Sequence, residues 1–406
     1  MPSRRTSTAL ALMITVVALA SACGAPSPSR PPDPDPADWS AVQTAARGQT
    51  LNFYLYGGDD AVNRFVSGYV APRLAEQGVT LNAVPVADTA DALNKVLTET
   101  QAGRAEGGVD AIWINGENFA TGVQAGLWYC GYPAALPNSR AVDLADPEVA
   151  TDFGTPVDGC AAAWQRADSA LVYDSARLAP ADVASLTALE AWARANPGRF
   201  TYPAPPDFTG SMVVRTFLYD TAGGPQGVAG GPGPVADRLH ARLNALEPAL
   251  WRGGQTYPTS QTAVEQLFAS GEISAYYTYG AGTVAQKVTD GVYPPTTREA
   301  VPDVGNIGNV SNVAIPANAP HKAAALVLAN LLQDPQTQLR AYTDAGLYPA
   351  IDPARLDPAT RARFAAVDRG PSVLAPEQLG ARTLPELDAG TASAVDDGWI
   401  ANVLQR

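Results

Sequence analysis

The first third of the chain alternates hydrophobic period over five segments. "QTLNFYLYGG", ending at Gly58, reads as a strand closed by a glycine turn. Asp60 to Leu74 sets Val62, Phe65, Val66, Tyr69 and Val70 at helical spacing. "VTLNAVPV" (79–86) is a second strand. "DTADALNKVLTETQAG" opens on Asp88 or Thr89 as a helix N-cap and gathers Ala92, Leu93, Val96 and Leu97 on one face. "VDAIWI" (109–114) is a third strand. Strand, helix, strand, helix, strand predicts a parallel α/β sheet with right-handed crossovers.

The later pattern is more broken. "SALVYDSARL" (169–178) is a strand leading into new α/β material. Residues 185–220 read as helix, strand, Pro-rich loop, helix, and 221–235 as a Gly/Pro loop. Residues 248–288 read as helix, strand, Gly loop, helix. Residues 309–342 read as a strand, a Pro turn and a long helix, and short helices between prolines fill the tail. Open sheets of this kind bind ligands outside the carboxyl ends of their strands. Gly57-Gly58-Asp59, Asp88-Thr89 and Asn115-Gly116-Glu117 all stand at such ends. Turn residues also occur there for local reasons alone.

The N-terminus changes the picture. Arg4 and Arg5 precede an apolar stretch from Ala9 to Ala20, an export-signal pattern. "ASAC" ending at Cys23, followed by Gly24, resembles a bacterial lipobox, which makes Cys23 a lipidation site. A plain signal-peptidase site is the competing reading. "GAPSPSRPPDPDPADW" is too rich in Pro, Ser and Asp to bury apolar surface, so residues 24–45 are expected to form an extended tether. Export leaves Cys130 and Cys160 as an isolated pair in an oxidising compartment, where a disulfide is expected. Zinc is a weak rival: the chain has no CxxC and only His240 and His321. With 27 Lys and Arg against 40 Asp and Glu, the net charge is −13, which argues against a nucleic-acid partner.

Three stretches then carry a family resemblance. "DAIWINGENFA", "GRFTYPAPPDFTGS" and "LDPATRARFAAVDRGPSVLAPEQLG" resemble the YnjB-like branch of the extracytoplasmic solute-binding proteins of ABC importers, in the type II periplasmic-binding fold. "SALVYDSARL" and "GNVSNVAIPANAPHKAAALVLANLLQDPQTQ" are similar to the crossover segments of that fold. The likeness runs from about residue 48 to the C-terminus. It implies α/β architecture in two lobes, each a mostly parallel sheet flanked by helices, joined by two hinge crossovers. The expected division is 1–23 signal peptide, 24–45 tether, 46–168 with 306–335 as lobe 1, 169–305 as lobe 2, and 336–406 as a helical segment packed on the lobes. It further implies a monomer outside the cytoplasm, anchored to the membrane by lipid. Its partners would be a small-molecule solute, a permease and an ATPase, with no cofactor, no metal and no catalysis.

Candidate ligand contacts follow from the strand ends and this frame. Lobe 1 supplies Tyr56, Gly58, Asp59, Asp88, Thr89, Trp113, Asn115, Glu117 and Asn118. In lobe 2, "PPDFTGSMVVRTF" puts Asp207, Phe208, Thr209, Gly210 and Ser211 before an apolar helix, whose N-terminus exposes free N–H groups. A plain cap by Thr209 or Ser211 is the bland alternative. "AYYTYGAGTVA" matches GxGxxA, but a bare match is weak; Tyr277, Tyr279 and Gly280 are taken instead as ligand contacts, with one tyrosine face left for the core. Asn312 would reach the cleft from the returning hinge strand. Carboxylates beside aromatic rings favour a cation, either thiamine-like or a polyamine; rings with amides would equally suit a sugar. A secreted hydrolase is the rival class. The chain has no GxSxG and no HExxH, though a carboxylate pair needs no adjacency.

Overall fold

The computed structural model describes residues 32–405, so the signal segment and Cys23 lie outside the described residues. Twelve strands occur among the described residues. They are β1 (Thr50–Tyr56), β2 (Thr80–Val86), β3 (Ala111–Ile114), β4 (Thr151–Asp152), β5 (Thr155–Pro156), β6 (Ala161–Asp168), β7 (Ala170–Asp174), β8 (Ala275–Thr278), β9 (Thr297–Ala300), β10 (Asn306–Ala314), β11 (Tyr348–Pro349) and β12 (Thr383–Leu384). Lobe 1 is a sheet in the order β11-β6-β10-β3-β1-β2, with β12 beside β10. β1 pairs in parallel with both β2 and β3, as the alternating pattern predicts. Lobe 2 carries a sheet in the order β8-β7-β9.

The two hinge crossovers lie side by side. The chain leaves lobe 1 through Ser169, between β6 and β7, and returns between β9 and β10. Ser169 Oγ accepts the Ile307 N–H at 2.9 Å, and the Ser169 N–H donates to the Ile307 carbonyl at 2.8 Å. Each lobe has its own core. Leu51, Phe53, Ala111, Trp164 and Val313 centre one; Leu171, Phe217, Tyr277 and Trp399 centre the other.

Several expectations need correction. The lobe 2 sheet is antiparallel, not mostly parallel: β7 pairs antiparallel with β8 and with β9, since no crossover helix joins a parallel pair there. The tether ends earlier than residue 45. Trp39–Ala46 is a helix capped by Asp38, and Val42 and Ala46 are wholly buried in the lobe 1 core. The Tyr129 hydroxyl also donates to the Pro34 carbonyl at 2.8 Å. The strand expected before the Pro-rich loop shrinks to one bridge, Phe200 to Ala275. Residues 248–288 do keep the expected order, with the helix Gln261–Ala269, then β8, a Gly loop and the helix Val284–Thr289. The long helix after β10 is two, Lys322–Leu332 and Pro335–Ala345, because Asp334 caps a new start with Pro335 in its first turn. The last helix, Ala389–Trp399, packs on Phe208–Ala222, and the Trp399 indole donates to the Tyr202 hydroxyl at 3.2 Å. Cys130 and Cys160 are joined in a disulfide across 30 residues. Among the described residues no helix is long and apolar enough to cross a membrane.

Candidate functional site

A cleft of about 240 Å³ lies between the lobes. Its lobe 1 wall is built from the carboxyl ends of β1, β2 and β3 and the helices that follow. Asp59 caps the helix Asp60–Phe65, its Oδ1 accepting from the Ala61 and Val62 N–H groups at 2.9 and 3.1 Å. Asp88 caps Thr89–Gln101 through the Ala90 N–H at 2.8 Å. Asn115 precedes the helix Gly116–Gln124 but does not cap it; its Nδ2 donates to Ser311 Oγ at 3.3 Å. The Gly116 N–H goes instead to Asp152 Oδ1 at 2.7 Å, with Gly116 at φ +64°, a left-handed backbone that favours glycine.

Lobe 2 answers with the helix Phe208–Ala222. Its cap is Asp207, neither Thr209 nor Ser211: Oδ1 accepts from the Thr209 and Gly210 N–H groups, each at 3.0 Å. Asp207 Oδ2 takes the Gln261 N–H at 3.3 Å and so ties in a second helix start. Burial pushes the Asp207 carboxyl above the usual range. The Phe208 ring, 40% exposed, lies 5.9 Å from Phe153 and 4.9 Å from Tyr279. The Tyr279 hydroxyl donates to Glu386 Oε1 at 2.5 Å. Glu386 is also held at 2.9 Å by Arg215, which is 2% exposed and lies over the Phe153 ring. Tyr56 reaches across the cleft, its hydroxyl 3.4 Å from Thr262 Oγ1.

Of the residues expected from sequence, Tyr56, Gly58, Asp59, Asp88, Thr89, Trp113, Asn115, Asn118, Asp207, Phe208, Thr209, Tyr279 and Gly280 line this cleft. Five stand elsewhere. Glu117 is exposed off the wall, because the helix turns it away while Asn115 and Asn118, three apart, keep one face. Gly210 is packed beneath Pro203, whose carbonyl would be 2.2 Å from an added Cβ. Ser211 is buried and donates to Asp396 Oδ2 at 2.5 Å. Tyr277 lies in the lobe 2 core, because β8 is buried along its whole length, and of Tyr276, Tyr277 and Tyr279 only the last, past its end, lines the cleft. Asn312 is turned inward by a register shift after Ser311 and donates to Asp152 Oδ2 at 3.4 Å, so Ser311 takes its place on the cleft.

Sequence reasoning missed Gln165 and Arg166 on β6, and Gln261, Glu265, Lys287 and Tyr348. Two polar residues after "AAAW" were the available signal for the first pair. The basic groups are already engaged. Arg166 pairs with Asp146 at 2.5 Å and with Glu148, and Lys287 pairs with Glu265 at 2.5 Å. Asp59, Asp88 and Asp207 thus line the cleft with no basic side chain paired to them among the described residues.

Comparison with known proteins agrees with this architecture. Residues 68–365 match the family described as bacterial extracellular solute-binding protein. Protein YnjB of Escherichia coli (strain K12) is 35% identical over 373 residues, covering 90% of this chain and 93% of that protein. A periplasmic thiamin binding protein superposes with a TM-score of 0.61 at 17% identity, over 87% of this chain and 96% of that one. The periplasmic binding protein AfuA from Actinobacillus pleuropneumoniae, solved with fructose-6-phosphate, superposes with a TM-score of 0.60 at 11% identity, over 87% of this chain and 98% of that one. The chain belongs to the bacterial extracellular solute-binding protein family.

Proposed function

We propose that the chain is the solute-binding component of an ABC importer, held outside the cytoplasm by a lipid on Cys23. It captures a small solute between its lobes and hands it to a permease driven by an ATPase, acting as a monomer and without turnover. We further propose that the solute is a cation, either a flat thiamine-like ring or a polyamine. One observation carries the ligand class: the cleft sets Asp59, Asp88 and Asp207 beside Tyr56, Trp113, Phe208 and Tyr279, while Arg166 and Lys287 are neutralised by their own carboxylates. Carboxylates and ring faces both attract positive charge. The same aspartates hold backbone N–H groups, which fixes them in place and suits binding better than acid–base work.

A thermal-shift screen of the mature chain tests this, with thiamine, polyamines, sugars, amino acids and ferric salts. Solute at a hundred times its dissociation constant adds about 2.7 kcal/mol, a shift of several degrees. A cationic hit is expected. A hit by a sugar alone keeps the importer role and replaces the ligand. Turnover of a glycoside without stoichiometric binding would favour a carboxylate-dependent hydrolase.

A further inference from the structure

We propose that the solute is held through its own N–H groups, so that the cleft accepts protonated amines and amidines and refuses quaternary cations of similar size. This deepens the cationic reading above and rests on it, and of its two ligands it selects the polyamine over a thiamine-like ring, whose charged nitrogen carries no hydrogen. The reason is an inventory of hydrogen-bonding groups. Asp59 and Asp88 use only Oδ1 to hold helix N–H groups. Their Oδ2 atoms make no hydrogen bond among the described residues. The Gln261 amide is oriented by Glu265, since its Nε2 donates to Glu265 Oε1 at 3.1 Å. Its Oε1 is therefore the acceptor, and it is shielded from solvent with no partner among the described residues.

Gln165 repeats the situation on the other wall. It is 6% exposed, lines the cleft and pairs in register with Ser311, which lines it too. Its Oε1 is likewise shielded and unpartnered. The two basic side chains that line the cleft are already spent, because Arg166 and Lys287 serve carboxylates. A quaternary cation balances charge but offers no hydrogen. Closing the lobes on it would leave acceptors on both walls unmatched, which is costly in a dry site. An amine supplies both charge and hydrogens, and charge-assisted bonds are the stronger kind.

Calorimetric titration of the mature chain with matched pairs decides the matter. Diaminobutane is compared with its N-permethylated form, and benzylamine with benzyltrimethylammonium, with glucose as a neutral probe. The amine is expected to bind at least about tenfold more tightly than its permethylated partner, as for loss of one charged hydrogen bond. Gln165→Leu and Gln261→Leu should weaken the amine and narrow that gap at unchanged melting temperature. Quaternary cations binding as well as amines would overturn the inference and leave the cationic reading standing. Variants that weaken both members equally would overturn it too, as a merely structural role. Binding of glucose with no cation binding would overturn the cationic reading itself.

Discussion

Gly58 and Gly210 both owe their identity to space, in different ways. A Cβ on Gly58 would lie 2.1 Å from the Tyr56 hydroxyl, so the ring lies against this glycine on the cleft wall. A Cβ on Gly210 would meet backbone, the Pro203 carbonyl at 2.2 Å. Gly210→Ala is therefore expected to cost about 1–3 kcal/mol in chemical denaturation. Gly58→Ala should leave stability closer to wild type and weaken solute binding by displacing Tyr56. Tyr279→Phe removes the hydroxyl that donates to Glu386, a loss of about 1–3 kcal/mol in the same assay. At this scale the sequence was legible where a residue stood at the end of a regular strand, as Asp59 and Asp88 do. It was illegible where one residue of rotation or register decided the outcome. Glu117 and Asn312 were each misplaced that way, by a helix turn and by a bulge.

Elements separate more clearly into legible and hidden. β1, β2 and β3 with their helices follow from period alone, because long alternating stretches leave few other solutions. The lobe 2 sheet does not, because β7 and β8 are short and buried throughout or nearly so, and β9, which does alternate, is only four residues long. The tail was hardest, since its partners are remote. Glu386 follows β12, yet it meets Arg215 in the middle of the helix Phe208–Ala222. Glu386→Ala strands a buried guanidinium and is expected to cost about 3–5 kcal/mol, read as a lowered denaturation midpoint. The disulfide was legible from export and cysteine count, and holds the segment from Cys130 to Cys160 as a closed loop. Reducing it is expected to lower stability by about 3–4 kcal/mol in the chain-entropy picture, measured by denaturation with and without reductant.

Across the whole molecule, buried carboxyl groups set the response to pH. Burial raises Asp152 from 3.8 to about 8, Asp168 and Asp396 to about 6, and Glu299 from 4.5 to about 7. Each holds a proton in the folded chain that the unfolded chain has released, so unfolding lets protons go and stability falls as pH rises through this window. The melting temperature is expected to drop from about pH 5 to about pH 8 and then level off. Asp152→Asn should soften the upper half of that drop, since an amide oxygen still accepts the Gly116 N–H. The two-lobed plan was legible from the two crossover segments, but the place of β10 in the first sheet was not. β10 lies between β6 and β3, with lobe 2 inserted ahead of it in the chain. A ribosome making this protein must therefore finish all three strands of the second lobe's sheet before the strand at the centre of the first is available. Until then, facing edges of β3 and β6 wait for a partner almost two hundred residues downstream of β3. The exposed strand edges of the earlier-made lobe are where a stalled or truncated chain would aggregate.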